Sequence, residues 1–437
     1  MQIVLLSGGS GKRLWPLSND VRSKQFLKLF KNDKNEYESM IQRVYRQIKK
    51  CTNSNITIAT SKTQKSIILN QLGDNINLSV EPTRRDAFPA IVLVSCYIKE
   101  RFNLKDEEVV AICPIDSFVE DDFYFCLNKL EAIINSKKSN LALVGIKPTY
   151  PSEKYGYIIP KTNEKISFVE EFKEKPDKIM AQKYIERGAL WNSGIFAFKL
   201  GYILELAHKL INFKDYQDLF SRYSELEKIS FDYAVVEKEK DIQVVKYDGE
   251  WKDVGTWNTM AETMTDPIKG NVVMGDNNHN CNVINELDIP LICMGCEDLI
   301  IVTSSDGIIV SNKEQSSYIK PYVEKITNPI RVQEKSWGYY KILDVQPNSL
   351  IIKITLNKGH QMSYHSHENR DEIWNVLSGN AIVVLDGERC EVSSGDSIKI
   401  KVGTKHTIIA KTELNLIEIQ TGSDLSKSDK TKYDLKN

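Results

Sequence analysis

The chain has 437 residues, more than one typical core of roughly 100–200 residues holds, so two or three domains are expected. Hydrophobic residues make up 41% and charged residues 27%, a globular balance that excludes extensive disorder. Lys plus Arg is 58 against 59 for Asp plus Glu, a net charge of -1, which excludes a strongly basic nucleic-acid binder but leaves room for a local phosphate site.

Residues 2–7 read as a buried strand rather than a signal peptide, because no basic segment precedes them and glycines follow at once. Helical spacing covers residues 37–49, through Met40, Ile41, Val44, Tyr45 and Ile48. Strands at 56–60, 78–81, 109–114 and 141–146 then alternate with helices at 61–72, 87–101 and 120–136. Near-continuous apolar strands in such alternation predict a parallel sheet covered on both faces, with ligands at the carboxyl ends of the strands. From about residue 270 short strands and turns take over, a β-rich connector. After about residue 329 strands at 350–356, 381–385, 390–393, 397–401 and 416–420 predict an all-β domain, and the polar stretch 423–437 is expected to fray. The expected division is 1–265, 266–328 and 329–437. The apolar runs are far short of the roughly 18–20 residues of a membrane helix. Neither a membrane nor a nucleic acid is an expected partner.

Eight cysteines are scattered along the chain and read as buried, reduced thiols of a cytoplasmic protein. Cys293 and Cys296, with His279 and Cys281 upstream, are a weaker zinc alternative, since no second such pair accompanies them.

After the first strand comes Gly8-Gly9-Ser10-Gly11-Lys12-Arg13-Leu14-Trp15-Pro16-Leu17-Ser18. Glycines let backbone N–H groups approach a phosphate, and Lys12 and Arg13 add charge. The loop is neither a Walker A sequence, because Arg13 follows Lys12, nor a dinucleotide fingerprint, because Leu14 stands where the third glycine belongs. Taken alone it is also compatible with a tight turn carrying solvated charges. Arg22-Ser23-Lys24-Gln25-Phe26-Leu27 offers Lys24 as a second phosphate cation. Two aspartates, Asp116 and Asp253, stand at strand ends, where an Asp is otherwise a helix cap.

These strings together resemble the sugar-1-phosphate nucleotidyltransferases, and among them the mannose-1-phosphate guanylyltransferases. Further segments agree in chain order: Glu81-Pro82-Thr83-Arg84-Arg85-Asp86, Tyr155-Gly156-Tyr157-Ile158, Val169-Glu170-Glu171-Phe172-Lys173-Glu174-Lys175-Pro176, Trp191-Asn192-Ser193-Gly194-Ile195-Phe196 and Asp253-Val254-Gly255-Thr256-Trp257. One departure is Ser23, where many members have proline; it leaves the loop less stiff and keeps Lys24. The resemblance implies a Rossmann-like α/β nucleotidyltransferase domain, with a mixed sheet, that makes GDP-mannose and pyrophosphate from GTP and mannose 1-phosphate. The implied nucleotide contacts are Gly8, Gly9, Gly11, Arg13 and Lys24, the last two also catalytic; Arg84 or Arg85 adds to them. Asp116 and Asp253 would hold Mg²⁺, a hard cation that shares phosphate oxygens. Gly156, Glu174, Lys175 and Asn192 would bind the sugar phosphate. Lys173 competes with Lys175, since alternation along a strand puts both on one face. Asp232 is a weaker candidate for the same cleft. Another base or sugar 1-phosphate remains the alternative, and a homo-oligomer is expected.

Four of the six histidines lie between residues 360 and 406. Gly359, His365, His367, Glu372 and Gly379 resemble the first cupin motif, and Gly395, Gly403 and His406 the second, with Lys401 replacing the usual proline. His365 and His367, two apart on a strand, share a face. With Glu372 and His406 they make a set suited to Zn²⁺ or a similar divalent transition metal. Bifunctional relatives join a guanylyltransferase to such a cupin that interconverts mannose 6-phosphate and fructose 6-phosphate. The linker Ser336-Trp337-Gly338-Tyr339-Tyr340 resembles theirs. Their terminal D-D-I-V-R is replaced by Ser426-Lys427-Ser428-Asp429-Lys430, and Thr407 stands where many have arginine. The sequence therefore leads one to expect a bound metal without isomerase activity.

Overall fold

The computed structural model describes residues 1–9, 11–327, 330–426 and 428–435; Ser10, Lys427 and the boundary expected at 328/329 lie outside them. Nine strands form the main sheet: β1 (Gln2–Ser7), β2 (Asn55–Ser61), β3 (Asn77–Glu81), β4 (Val109–Pro114), β5 (Leu141–Ile146), β6 (Tyr157–Pro160), β7 (Ile166–Lys173), β8 (Leu190–Lys199) and β9 (Ile242–Tyr247). Their order is β3-β2-β1-β4-β8-β5-β9-β7-β6. β1 pairs in parallel with β2 and β4, so the chain leaves β1 where the strand order reverses. β8 runs antiparallel between β4 and β5, so the sheet is mixed, as the family resemblance implies, and not purely parallel as the strand–helix alternation alone suggests. Continuous apolar character marks burial on both faces, and it says nothing about direction.

Neighbouring residues of β1 feed opposite cores. Ile3 and Leu5 pack with Ile41 and Val44 of α1 (Met40–Cys51) and Leu127 of α4 (Cys126–Asn135), whereas Val4 packs with Ile91 and Val94 of α3 (Ala87–Arg101). The helix expected from residue 37 begins only at Met40. Tyr37–Ser39 pairs as a strand with Lys28–Lys31, and Ser39 and Gln42 form a reciprocal capping box. α2 (Lys65–Leu72) likewise starts four residues late, because Ser61 completes β2.

The connector holds a four-stranded sheet of Ile268–Gly270, Asn282–Asn285, Leu299–Ser304 and Gly307–Asn312. The C-terminal region is two facing sheets of six and five strands around Ile354, Leu356, Trp374, Val383, Leu414 and Leu416, the architecture expected of a cupin. Among the described residues the tail is tied down rather than frayed. Thr431–Lys432 pairs with His365–Ser366, and the Asp429 carboxylate accepts from the Glu368 and Asn369 backbone N–H groups. Polar composition marked the tail as solvent-facing; its hydrogen bonds to a turn 60 residues away could not be read from it. All eight cysteines are free, but only Cys96, Cys113, Cys126 and Cys293 are buried, and Cys390 is exposed. No described helix is long and apolar enough to cross a membrane.

Candidate functional site

The glycine loop leaves β1 with Gly8 and Gly9 exposed, and Gly9 has φ +114, a conformation that favours glycine. A cavity of about 460 Å³ opens beside it, lined by Ser7, Gly8, Gly9, Ser61, Glu81 and Arg84. Arg84, not Arg85, reaches this cavity. Gly11 opens a short 3₁₀ turn that carries Arg13, whose charge reaches Lys24 and Asp253.

Lys24 projects from a second 3₁₀ turn, Lys24–Phe26. Its Nζ lies 3.2 Å from Asp116 Oδ2 and 3.7 Å from Asp253 Oδ1. Asp116 follows β4, and Asp253 ends the strand Trp251–Asp253, which pairs with Ser117–Val119. Neither aspartate caps a helix. Burial works against the Lys24 charge, yet the two carboxylates outweigh it and hold its pKa above the ordinary value. Burial, then Asp116, pushes Asp253 up against the opposing charges of Lys24 and Arg13. Two carboxylates held this close, with one lysine between them, are a donor set that fits a divalent cation bound jointly with phosphate oxygens.

The residues expected to bind the sugar phosphate form a second cluster, linked to this pair through Tyr155. Glu174 is only 6% exposed and accepts a hydrogen bond from Lys175 Nζ. Lys175 has φ +47 and lies past the end of β7, so it does not share a face with Lys173, which pairs instead with Glu237. The strand alternation assumed for the two lysines stops at Lys173. Asn192 Nδ2 donates to Asp232 Oδ1 at 2.8 Å, and its Oδ1 accepts from Gly194 N–H at 3.0 Å, within an irregularity of β8. Burial, then the Glu174 charge, pushes Asp232 up to about 7. A Cβ at Gly156 would lie 2.5 Å from Glu174 Oε2, so only glycine lets this loop close on the carboxylate. Tyr155 joins the two halves: its carbonyl accepts from Lys175 N–H, its ring packs on Trp191 and Trp251, and Asp253 acts on its hydroxyl. Sequence reasoning did not foresee this aromatic wall, although Tyr155 and Trp191 stand within motifs it had singled out and Trp251 lies two residues before Asp253.

The C-terminal histidines form a second site. Among the described residues, the one group of three or more His, Cys, Asp or Glu side chains close enough for a metal is His365, His367, Glu372 and His406, with ligand atoms within 4.8 Å of one another. The Cys293 alternative does not assemble among them. Each histidine bonds a backbone carbonyl through Nδ1: His365 to Ser363, His367 to Asp429, His406 to Thr404. That leaves Nε2 as the inward atom, and His406 Nε2 is buried 3.4 Å from Glu372 Oε2. Glu372 Oε1 lies 3.0 Å from His367 Nε2. Burial, then the Lys430 and His406 charges, pushes His365 down to about 2, so its ring is neutral at pH 7. Burial opposes ionisation of Glu372, and hydrogen bonds from His367 and His406 reverse that and hold it below the usual range. A neutral His365 ring, a carboxylate held below the usual range and two further Nε2 atoms turned toward it fit a divalent transition metal. The site opens into a cavity of about 1080 Å³, also lined by Arg370, Glu418, Lys430 and Lys432. Glu418 escaped notice, though alternation along Leu414–Gly422 puts Leu416, Glu418 and Gln420 on one inward face.

The nucleotidyl transferase family matches residues 2–269, and the mannose-6-phosphate isomerase C-terminal family matches residues 323–434. A mannose-1-phosphate guanylyltransferase of Salmonella montevideo is 30% identical, covering 98% of both chains. One of Escherichia coli K12 is 30% identical over 98% of this chain and 97% of its own. A crystal structure named mannose-1-phosphate geranyltransferase, from Thermus thermophilus, is 25% identical with a TM-score of 0.61, covering 74% of this chain and 98% of that one. The chain therefore belongs to the nucleotidyl transferase family, among the mannose-1-phosphate guanylyltransferases that continue into a mannose-6-phosphate isomerase C-terminal domain.

Proposed function

We propose that residues 1–265 make GDP-mannose and pyrophosphate from GTP and mannose 1-phosphate. An oxygen of the sugar phosphate attacks the α-phosphorus in line and pyrophosphate leaves, so catalysis is positioning and charge neutralisation. The observation behind this reading is Lys24 within 3.2 and 3.7 Å of two strand-end aspartates, beside the glycine loop. Gly8, Gly9 and Gly11 present backbone N–H groups to the triphosphate, and Arg13 and Lys24 neutralise it. Asp116 and Asp253 hold Mg²⁺, which when bound supplies further neutralisation at the phosphates. Glu174, Asn192 and the Gly156 backbone take the sugar hydroxyls, and Lys175 the 1-phosphate. A nucleoside triphosphate substrate fits a cytoplasmic protein. A pyrophosphate-release screen of GTP, UTP, CTP, ATP and dTTP against several sugar 1-phosphates tests the assignment. Turnover with another pair and none with GTP and mannose 1-phosphate would overturn it.

A second reading concerns residues 329–437, joined to the first domain through the connector 266–328. The histidine cluster takes a divalent transition metal such as Zn²⁺, and the domain interconverts mannose 6-phosphate and fructose 6-phosphate. Its support is the cation set around the cluster: the folded tail brings Lys430 and Lys432 to the cavity beside Arg370, where the sequence had lacked arginines for a phosphate. Metal analysis of protein purified without chelators, with an isomerase assay after metal loading, tests it. Metal without isomerase activity would restrict the domain to binding.

A further inference from the structure

The turn that carries Lys24 is gripped from outside its own domain. Arg22, two residues before Lys24, sends Nη1 and Nη2 to the Glu286 carboxylate of the connector at 3.0 and 3.1 Å. Its Nε lies 3.7 Å from Glu334 Oε1, on the first strand of the C-terminal domain, Val332–Lys335. The side chains are largely covered, Arg22 being 15% and Glu334 19% exposed. Glu334 reaches the other end of the turn as well. Its Oε2 accepts from Gln71 Nε2 at 3.2 Å, and the same Gln71 nitrogen donates to Phe26 O at 3.0 Å. Upstream, Asn19 Oδ1 accepts from the Val21 and Arg22 N–H groups while its Nδ2 donates to Asp306 of the connector. Asp306 in turn accepts from Arg331 N–H. All three regions of the chain therefore meet on residues 19–26, the segment that delivers Lys24.

This arrangement coincides with the loop's departure at Ser23. A proline there would restrict φ covalently; Ser23 lacks that covalent restriction and is held by hydrogen bonds alone, from Gln64 Nε2 to its Oγ and from Phe26 N–H to its carbonyl. A bidentate guanidinium–carboxylate pair has a fixed geometry and restores that restriction from outside. We propose that Arg22 is a positioning residue for Lys24, and that the C-terminal domain takes part in nucleotidyl transfer by supplying Glu334 to it. The proposal rests on the assignment of Lys24 to the triphosphate. Arg22 itself spends its guanidinium on Glu286 and Glu334 and is not counted among the substrate contacts; it acts through the backbone of residues 22–26.

The test is steady-state pyrophosphate release by the full chain in four variants. Glu286→Gln/Glu334→Gln keeps shape and removes both carboxylates facing Arg22. We expect kcat to fall about tenfold, KM for mannose 1-phosphate to stay within twofold and the melting midpoint to move by only a few degrees. Asn70→Ala removes a different contact between α2 and the C-terminal domain, Asn70 Nδ2 to Lys335 O, and should leave kcat within twofold. Ser23→Pro added to the double variant should restore most of the lost kcat, since Ser23 already has φ -75, which proline adopts. Lys24→Ala separates the two assignments: normal turnover in it removes Lys24 from the mechanism. If Lys24→Ala is impaired while the double variant keeps wild-type kcat, the proposal fails and the Lys24 assignment stands. Equal loss in Asn70→Ala, or no recovery with Ser23→Pro, also overturns it, because general loosening of the domain interface would then account for the effect.

Discussion

Gly156→Ala is the most direct probe of the sugar pocket. Its Cβ would sit 2.5 Å from Glu174 Oε2 and 2.8 Å from Phe172 Cζ, where ordinary contact begins at 3.4 Å, so the carboxylate must retreat by about 0.9 Å. Glu174 has little room to do so. It is 6% exposed, and its other oxygen holds Lys175, whose backbone N–H is tied to Tyr155 O. Overpacking of this kind costs roughly 1–3 kcal/mol. Concentrated on the pocket, that corresponds to roughly a 5- to 150-fold loss in sugar-phosphate affinity, at about 1.4 kcal/mol per factor of ten. Pyrophosphate release measured against each substrate in turn should show KM for mannose 1-phosphate raised within that range and KM for GTP within twofold. Trimming Glu174 removes the shortest of these contacts and leaves the one with Phe172, so Gly156→Ala should cost less in a Glu174→Ala background than in the wild type. Unchanged KM for mannose 1-phosphate, or an equal rise for GTP, would refute the packing argument.

Asp253→Asn should lower kcat by about 100-fold or more with little change in melting midpoint, because the isosteric amide keeps the packing and loses a charge at the phosphates; wild-type turnover at saturating Mg²⁺ would remove Asp253 from the site. Asp232, pushed up to about 7 by burial and the Glu174 charge, stays protonated in the folded state at pH values where the unfolded chain has already ionised. The folded state then binds the extra proton, so its stability falls as pH rises from about 4 to 7. Denaturation midpoints of wild type and Asp232→Asn should diverge in favour of the variant over that window, and parallel curves would show that Asp232 titrates normally. In the C-terminal domain, Asp429→Ala removes the acceptor that orders Glu368 and Asn369 and loosens the carbonyl that holds His367 Nδ1. Divalent-metal affinity should fall by roughly 10- to 100-fold, read by titration against a competing chelator, while nucleotidyl transfer is unaffected. Unaltered affinity would mean the tail does not orient the ligand.

Much of the N-terminal half is written locally. Strand β1, helix α3 and the strands at 109–114 and 141–146 occupy the residues their apolar patterns indicate, because each depends on its own periodicity and on burial of its own faces. Lys24, Asp116 and Asp253, which the family motifs single out, do come together in the structure, Lys24 Nζ lying 3.2 and 3.7 Å from the two carboxylates. Lys175 was misplaced onto the face of Lys173, since a left-handed residue just past a strand end leaves no trace in the alternation. Asp429, Lys430 and Glu334 were beyond reach for a stronger reason. Their composition marks them as solvated surface, and their roles come from partners far away in the chain, at His367, His365, Gln71 and Arg22. Sequence alone determined which side chains are available for the chemistry and where most helices and strands lie, though not where the helices at Met40 and Lys65 begin. Only the tertiary structure decided how the tail closes the histidine site and how three regions brace one lysine, because those are long-range pairings of polar groups that no local period encodes.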